Sequence, residues 1–175
     1  LISAPGKLAP GLLDVQWQSQ VDKLENAGKT AVVVLEDGAP IGLLALRDTL
    51  RSDAKQAIAE LNALGIRGVM LTGDNPRAAA AIAGELGLDY RASLLPEDKV
   101  SAVTELSELR PTAMIGDGIN DAPAMKASSI GIAMGSGTDV ALETADAALT
   151  HNRLLGVAEM IRISRATHAN IRQNI

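Results

Sequence analysis

The chain has 175 residues, 47% of them hydrophobic, and a net charge of −5 with a pI near 5.0, which excludes a disordered tail and allows the core of one domain and part of another. Trp17 and Tyr90 are its only aromatic residues, and no basic run is interleaved with aromatics, so a broad nucleic-acid surface is excluded. The absence of cysteine removes disulfides and thiolate metal sites, His151 and His168 are too few and too far apart for zinc, and neither a run of 18 apolar residues nor a charged-then-apolar leader marks a membrane span or signal peptide.

Leu1 to Pro10 opens in what reads as a strand. Val21 and Leu24 stand at helical spacing within Gln18 to Ala27, and Gly28 is a C-terminal stop. Thr30 to Leu35, a turn at Asp37-Gly38, and Ile41 to Leu46 predict a β-hairpin. Beyond Leu46, residues Ala54, Ala57, Ile58, Leu61 and Leu64 form one helical stripe, with Ser52 as cap and Gly65 as stop. A short strand over Gly68 to Leu71 follows. Asn75-Pro76 then supplies a cap and a first-turn proline for a helix over Arg77 to Leu86, ended by Gly87. Pro96-Glu97 starts another helix with Val100, Val103 and Leu106 inward, and Ala113 to Ile115 predicts the next strand. Gly131 to Met134 and Ala147 to Leu149 read as short strands separated by a helix around Ala141 to Glu143. Leu154 to Ile175 is helix-compatible, without proline or internal stop.

Strands of four or five residues alternating with helices of about ten predict an α/β architecture, a parallel sheet covered on both faces. A core of Leu, Ile, Val and Ala suits such layers. Ligands in these sheets sit at the carboxyl ends of the strands. The change of character places a domain boundary near Leu46.

Two of the strands run into acidic, glycine-containing turns, Thr72-Gly73-Asp74-Asn75 and Gly116-Asp117-Gly118-Ile119-Asn120-Asp121, expected at one edge of a common sheet. Glycine lets the backbone approach a phosphate, and the helix starting at Asn75 offers free N–H groups to an anion. Asp117 and Asp121 span a strand-to-helix turn and can converge on one hard cation, with Mg²⁺ suited to a few carboxylates completed by water and phosphate oxygens. Three carboxylate or amide groups crowding a buried strand end would need such a cation to offset their repulsion. Taken alone, Thr72 to Asn75 is also an ordinary turn. Lys99 lies near a helix start, where the dipole disfavours it; a phosphate partner would account for that position, and a solvated lysine is the plain alternative.

These three segments, with Pro96-Glu97-Asp98-Lys99 between the turns and Ala122-Pro123-Ala124 after the second, resemble in order and spacing the P-type ATPases of the haloacid dehalogenase superfamily. Met134-Gly135-Ser136-Gly137-Thr138-Asp139-Val140-Ala141 and Ala145-Asp146 resemble the heavy-metal subgroup, and Leu142 to Leu149 is closer in wording to zinc, cadmium and lead exporters than to copper ones.

The resemblance implies a haloacid dehalogenase-like three-layer parallel sheet, the phosphorylation domain, joined to part of an α+β nucleotide-binding domain. Residues 1–45 would be the C-terminal part of the nucleotide-binding domain, 46–153 that of the phosphorylation domain, and 154–175 a stalk helix leading to the membrane. Thr72 would hold aspartyl-phosphate oxygens, Lys99 would neutralise them, Asp117 would ligate Mg²⁺ with Asp121, and Asn120 and Asp121 would complete the surroundings. Asp48 and Arg51 resemble the family's hinge motif and, with Gly73 and Asp74, would lie near ATP; an exposed ion pair at a helix start is the alternative for Asp48 and Arg51. The implied partners are ATP, the membrane and actuator domains of the same pump, and a heavy-metal cation, with this part on the cytoplasmic side of the membrane.

The family's Asp-Lys-Thr-Gly-Thr motif, which carries the phosphorylated aspartate, is absent from these residues, as are its Thr-Gly-Glu loop and the His-Pro and Gly-x-Gly elements that grip adenine. The chain alone is therefore expected not to hydrolyse ATP. A magnesium phosphatase of the same superfamily and a non-catalytic phosphate- or nucleotide-binding module are the alternative readings. Residues 162–175 carry Arg162, Arg165 and Arg172 and no acidic residue, a bias expected beside a membrane span on its cytoplasmic side.

Overall fold

The computed structural model describes residues 1–47, 49–117, 119–135 and 139–174. They form two compact units, Leu1–Leu50 with Val69–Ser93, and Arg51–Gly68 with Leu94–Ile175.

In the first unit, Asp14 starts helix α1 (Val15–Asn26) by accepting a hydrogen bond from the Trp17 amide at 2.9 Å. Strands β1 (Ile2–Ser3), β2 (Thr30–Glu36) and β3 (Ala39–Leu46) make a three-stranded antiparallel sheet. The turn between β2 and β3 places Asp37 at φ 49° and Gly38 at φ 81°. Both values are left-handed, as a two-residue hairpin turn matching the strand twist requires. Alternate residues Ala31, Val33 and Leu35 are buried, and α1, which packs on β2, buries Val21.

The same unit contains β4 (Val69–Leu71), α3 (Pro76–Leu86) and β5 (Asp89–Arg91), with β5 parallel to β4; α2 (Ala54–Ala63) falls between β3 and β4 in the chain and belongs to the second unit. This β-α-β crossover buries Ala78, Ala79 and Ala83 of α3, and α3 lies against α1. Arg77 adds contacts to Asp22 at 3.4 Å and Glu25 at 3.3 Å.

The second unit begins with α2 (Ala54–Ala63), whose Ala57, Ile58 and Leu61 are buried and which packs against α7 (Leu155–Gln173), itself burying Val157 and Ala158. Arg162 of α7 reaches Glu60 at 2.6 Å, and Arg165 donates to the Leu64 carbonyl at 2.9 Å. Between these helices in sequence lie α4 (Pro96–Leu109), β6 (Ala113–Gly116), α5 (Ala122–Ala127), β7 (Ile130–Ala133), α6 (Asp139–Thr144) and β8 (Ala147–Ala148). The strands form a parallel sheet in the order β6-β7-β8. Val103 of α4, Met125 of α5 and Ile132 and Ala133 of β7 are buried in its core.

Two expectations are corrected. The cap of α2 is Asp53 rather than Ser52, and its carboxylate goes elsewhere, accepting from the Leu155 amide of α7 at 2.9 Å. Val100 and Leu106 are only partly covered, because Ala102 and Val103 take the inward positions of α4. Of the strands that lead into the acidic turns, β4 pairs with β5 within the first unit and β6 pairs with β7 within the second. Among the described residues, no helix is long and apolar enough to cross a membrane.

Candidate functional site

The turn after β4 is held by its own side chains. The Thr72 amide donates to the Arg91 carbonyl at 3.0 Å, extending the β4–β5 ladder by one residue. The Thr72 hydroxyl donates to Asp74 Oδ2 at 2.9 Å and accepts from the Asp74 amide at 3.1 Å. The Asp74 carbonyl accepts from the amide of Ser93, which sits at φ 55°. Asn75 then caps α3, its Oδ1 accepting from the Ala78 amide at 2.9 Å, and Pro76 fills the first helical position, where no N–H is needed. Gly73, exposed at the tip, leaves the backbone accessible from solvent.

At the end of β6 the fit is tighter. A Cβ on Gly116 would lie 2.6 Å from the Asp121 Cβ, so only glycine lets the turn through Ile119–Asp121 fold back on its strand. Asp121 is thereby turned toward Lys99, with Nζ 2.8 Å from Oδ1 and the two side chains 17% and 16% exposed. Lys99 follows the first-turn acids Glu97 and Asp98 of α4, and Asp98 caps that helix by accepting from the Leu95 amide at 2.9 Å. The unfavourable placement of a lysine near a helix start is thus offset by a carboxylate of this chain.

Asp117 is more open. Its side chain is 55% exposed, and its Oδ2 lies 3.5 Å from Arg51 Nη2, while Arg51 Nη1 donates to the Asn152 carbonyl at 3.4 Å. Asn120 is exposed as well. The expectation of three polar groups crowding a buried strand end is corrected: one carboxylate is covered and paired, the other faces solvent, and Lys99 and Arg51 supply the compensating charge. The donors suit Mg²⁺, because Asp117 keeps hard carboxylate oxygens open to solvent. Among the described residues no group of three or more His, Cys, Asp or Glu side chains forms a cage, and Mg²⁺ retains water rather than requiring one.

The structure therefore joins Lys99 to Asp121, Arg51 to Asp117 and Thr72 to Asp74. Asp48, Gly118 and Ser136-Gly137-Thr138 lie outside the described residues, as does Ile175. Sequence reasoning missed Asp53 and Asn152, whose partners are 102 and 101 positions away. It also gave Asp146 no task, although its carboxylate accepts from the Gly131 amide at 2.8 Å and ties β7 to the segment before β8.

Known proteins resemble this chain in sequence and in fold. The chain is 71% identical over 155 residues to the zinc/cadmium/lead-transporting P-type ATPase of Escherichia coli, covering 89% of this chain and 21% of that protein. It is 43% identical over 176 residues to the copper-exporting P-type ATPase B of Archaeoglobus fulgidus, covering all of this chain and 25% of that one. Among solved structures, a zinc-transporting PIB-type ATPase in the E2.Pi state superimposes with a TM-score of 0.78 and 65% identity, covering 99% of this chain and 28% of that one. The chain thus spans about a fifth to a quarter of the length of these relatives. The resemblance to heavy-metal P-type ATPases read from the motifs extends over 89% of this chain in the Escherichia coli relative. Residues 7–129 match the family model for the haloacid dehalogenase-like hydrolase, a span that contains both acidic turns and Lys99, and with well over half of its length inside that match the chain belongs to this family.

Proposed function

We propose that this chain is part of the catalytic machinery of an ATP-driven heavy-metal exporter, with Zn²⁺, Cd²⁺ or Pb²⁺ as the transported cation, working by Mg²⁺-dependent phosphoryl transfer through an aspartyl-phosphate. The observation that carries the reading is the Lys99–Asp121 pair beside the open Asp117 carboxylate at the carboxyl end of parallel strand β6. Phosphoryl transfer depends on positioning and charge stabilisation rather than on covalent chemistry by many groups. A covered ammonium and an open carboxylate are parts of such a site.

In this reading Asp117 and Asp121 hold Mg²⁺, which when bound neutralises phosphoryl charge. Lys99, kept in place by Asp121, offers its ammonium to the transferred group, and Asn120 supports the same turn. Thr72 provides a hydroxyl for phosphoryl oxygens, an interaction it makes by exchanging the hydrogen bond to Asp74. Gly73 and Asp74, with Asp48 and Arg51, serve ATP. Residues 1–45 belong to a nucleotide-binding domain, 46–153 to the phosphorylation domain and 154–175 to a stalk helix, with the remaining pump domains as partners and the cytoplasmic side of the membrane as location.

The test is made on the longer pump polypeptide. Asp117→Asn should abolish Mg²⁺-dependent phosphoenzyme formation from ATP, and normal phosphoenzyme levels would overturn the assignment. The 175-residue chain alone, incubated with radiolabelled ATP and Mg²⁺, should acquire no acid-stable, hydroxylamine-sensitive label, since the Asp-Lys-Thr-Gly-Thr motif is absent from it. Vesicle uptake measured with Zn²⁺, Cd²⁺, Pb²⁺ and Cu⁺ identifies the cargo.

A further inference from the structure

Arg51 holds two things at once. One guanidinium nitrogen lies 3.5 Å from Asp117 Oδ2, and the other donates to the Asn152 carbonyl at 3.4 Å. Two residues further on, the Asp53 carboxylate accepts from the Leu155 amide at 2.9 Å, at the first residue of α7. The short segment Arg51–Asp53 therefore reaches the candidate cation ligand with one arm and the entry to α7 with two others. All these residues belong to the same compact unit.

The strengths of these contacts differ. The Asp117 contact is long, and its side chains are 37% and 55% exposed. A pair of that kind is worth about fivefold at most in an equilibrium constant. The Asp53 contact is short, part-buried and charge-assisted, the stronger class. A guanidinium and a divalent cation repel each other and compete for one carboxylate, and because the guanidinium is a rigid planar fork, a nitrogen cannot leave Asp117 without moving the one on Asn152.

We propose that Arg51 is an exchangeable counter-ion for Asp117, paired with it when no divalent cation is bound and released when the carboxylate takes Mg²⁺, so that occupancy of Asp117 is passed through the Asn152 carbonyl to the start of α7. Asp53 keeps the helix entry anchored while Arg51 changes partner. The inference rests on the assignment of Mg²⁺ to Asp117 and adds a competitor for it and a route away from it.

The test uses the 175-residue chain and Mg²⁺ alone, followed by calorimetric titration and by backbone amide resonances. Removing the competitor in Arg51→Gln should tighten Mg²⁺ binding by about two- to fivefold. Arg51→Lys, which keeps the charge without the fork, should bind Mg²⁺ about as the unmodified chain does. In the unmodified chain Mg²⁺ should move the resonances of Gly116, Asp121, Arg153 and Leu155; in both variants only Gly116 and Asp121 should respond. Circular dichroism of both variants checks that the fold is retained. Equal or weaker Mg²⁺ binding in Arg51→Gln, or an unchanged response at Arg153 and Leu155, overturns the exchange while leaving Mg²⁺ at Asp117 in place. Absence of any Mg²⁺ response at Gly116 and Asp121 in all three proteins overturns the Mg²⁺ assignment and the exchange with it.

Discussion

Lys99 and Asp121, 22 positions apart, meet at 2.8 Å with both side chains largely withdrawn from water. Removing one member leaves the other covered without its partner, at a cost of roughly 1–3 kcal/mol. Lys99→Met should therefore destabilise the chain by about that amount in urea denaturation. The double variant Lys99→Met/Asp121→Asn should recover part of the loss, because no unpaired charge remains. Strict additivity of the two single effects would show that the residues do not act as a pair.

Gly116→Ala places a methyl group 2.6 Å from the Asp121 Cβ. Overpacking of this kind costs roughly 1–3 kcal/mol, and the turn must move away from β6 to relieve it. The expected signature is lower stability together with displaced amide resonances at Asp121 and Ala122. Unchanged stability and spectra would mean that the turn does not fold back as tightly as described.

Asp53 caps a helix more than a hundred residues away in sequence. Asp53→Ala should cost about 1 kcal/mol, with an upper range near 2 kcal/mol, and should raise amide hydrogen exchange at Leu155 to Val157 more than in the second half of α2. Equal effects on both helices would contradict the assignment of the carboxylate to α7.

Glu60 is held below the ordinary glutamate range, first by the Gln56 amide donating to it at 3.0 Å and also by Arg162 at 2.6 Å, with partial burial opposing. A depressed folded-state value means that its contribution is fully present above the unfolded-state pKa and is lost as pH falls through the lower folded value. The stability difference between the unmodified chain and Glu60→Gln should be constant above about pH 5 and shrink as pH falls below roughly 4. Denaturation midpoints across that range check it. A difference that persists unchanged to low pH would exclude the charge of Glu60 as its source.

The elements most legible in the sequence are those whose signals act within one turn of themselves. Asn75, Pro76 and Gly87 bound α3 where expected, because a cap, a proline and a left-handed glycine each act on neighbouring backbone groups. Asp37-Gly38 likewise determined the hairpin of β2 and β3. β5 was not read, and the helix expected after the Asp117–Asp121 turn, α5, had no bounds: Asp89-Tyr90-Arg91 has no apolar alternation, and α5 is too short for a helical period to declare itself. The candidate site residues were found by motif, but their partners were not. Arg51 with Asp117, Lys99 with Asp121 and Asp53 with Leu155 are separated by 66, 22 and 102 positions. Residue type and local spacing alone thus determined the helices, the hairpin and the acidic turns. Only the tertiary structure decided which carboxylate is covered, which cation meets it and which strands share a sheet, because those outcomes depend on packing and solvent exclusion between segments whose approach leaves no periodic trace in the chain.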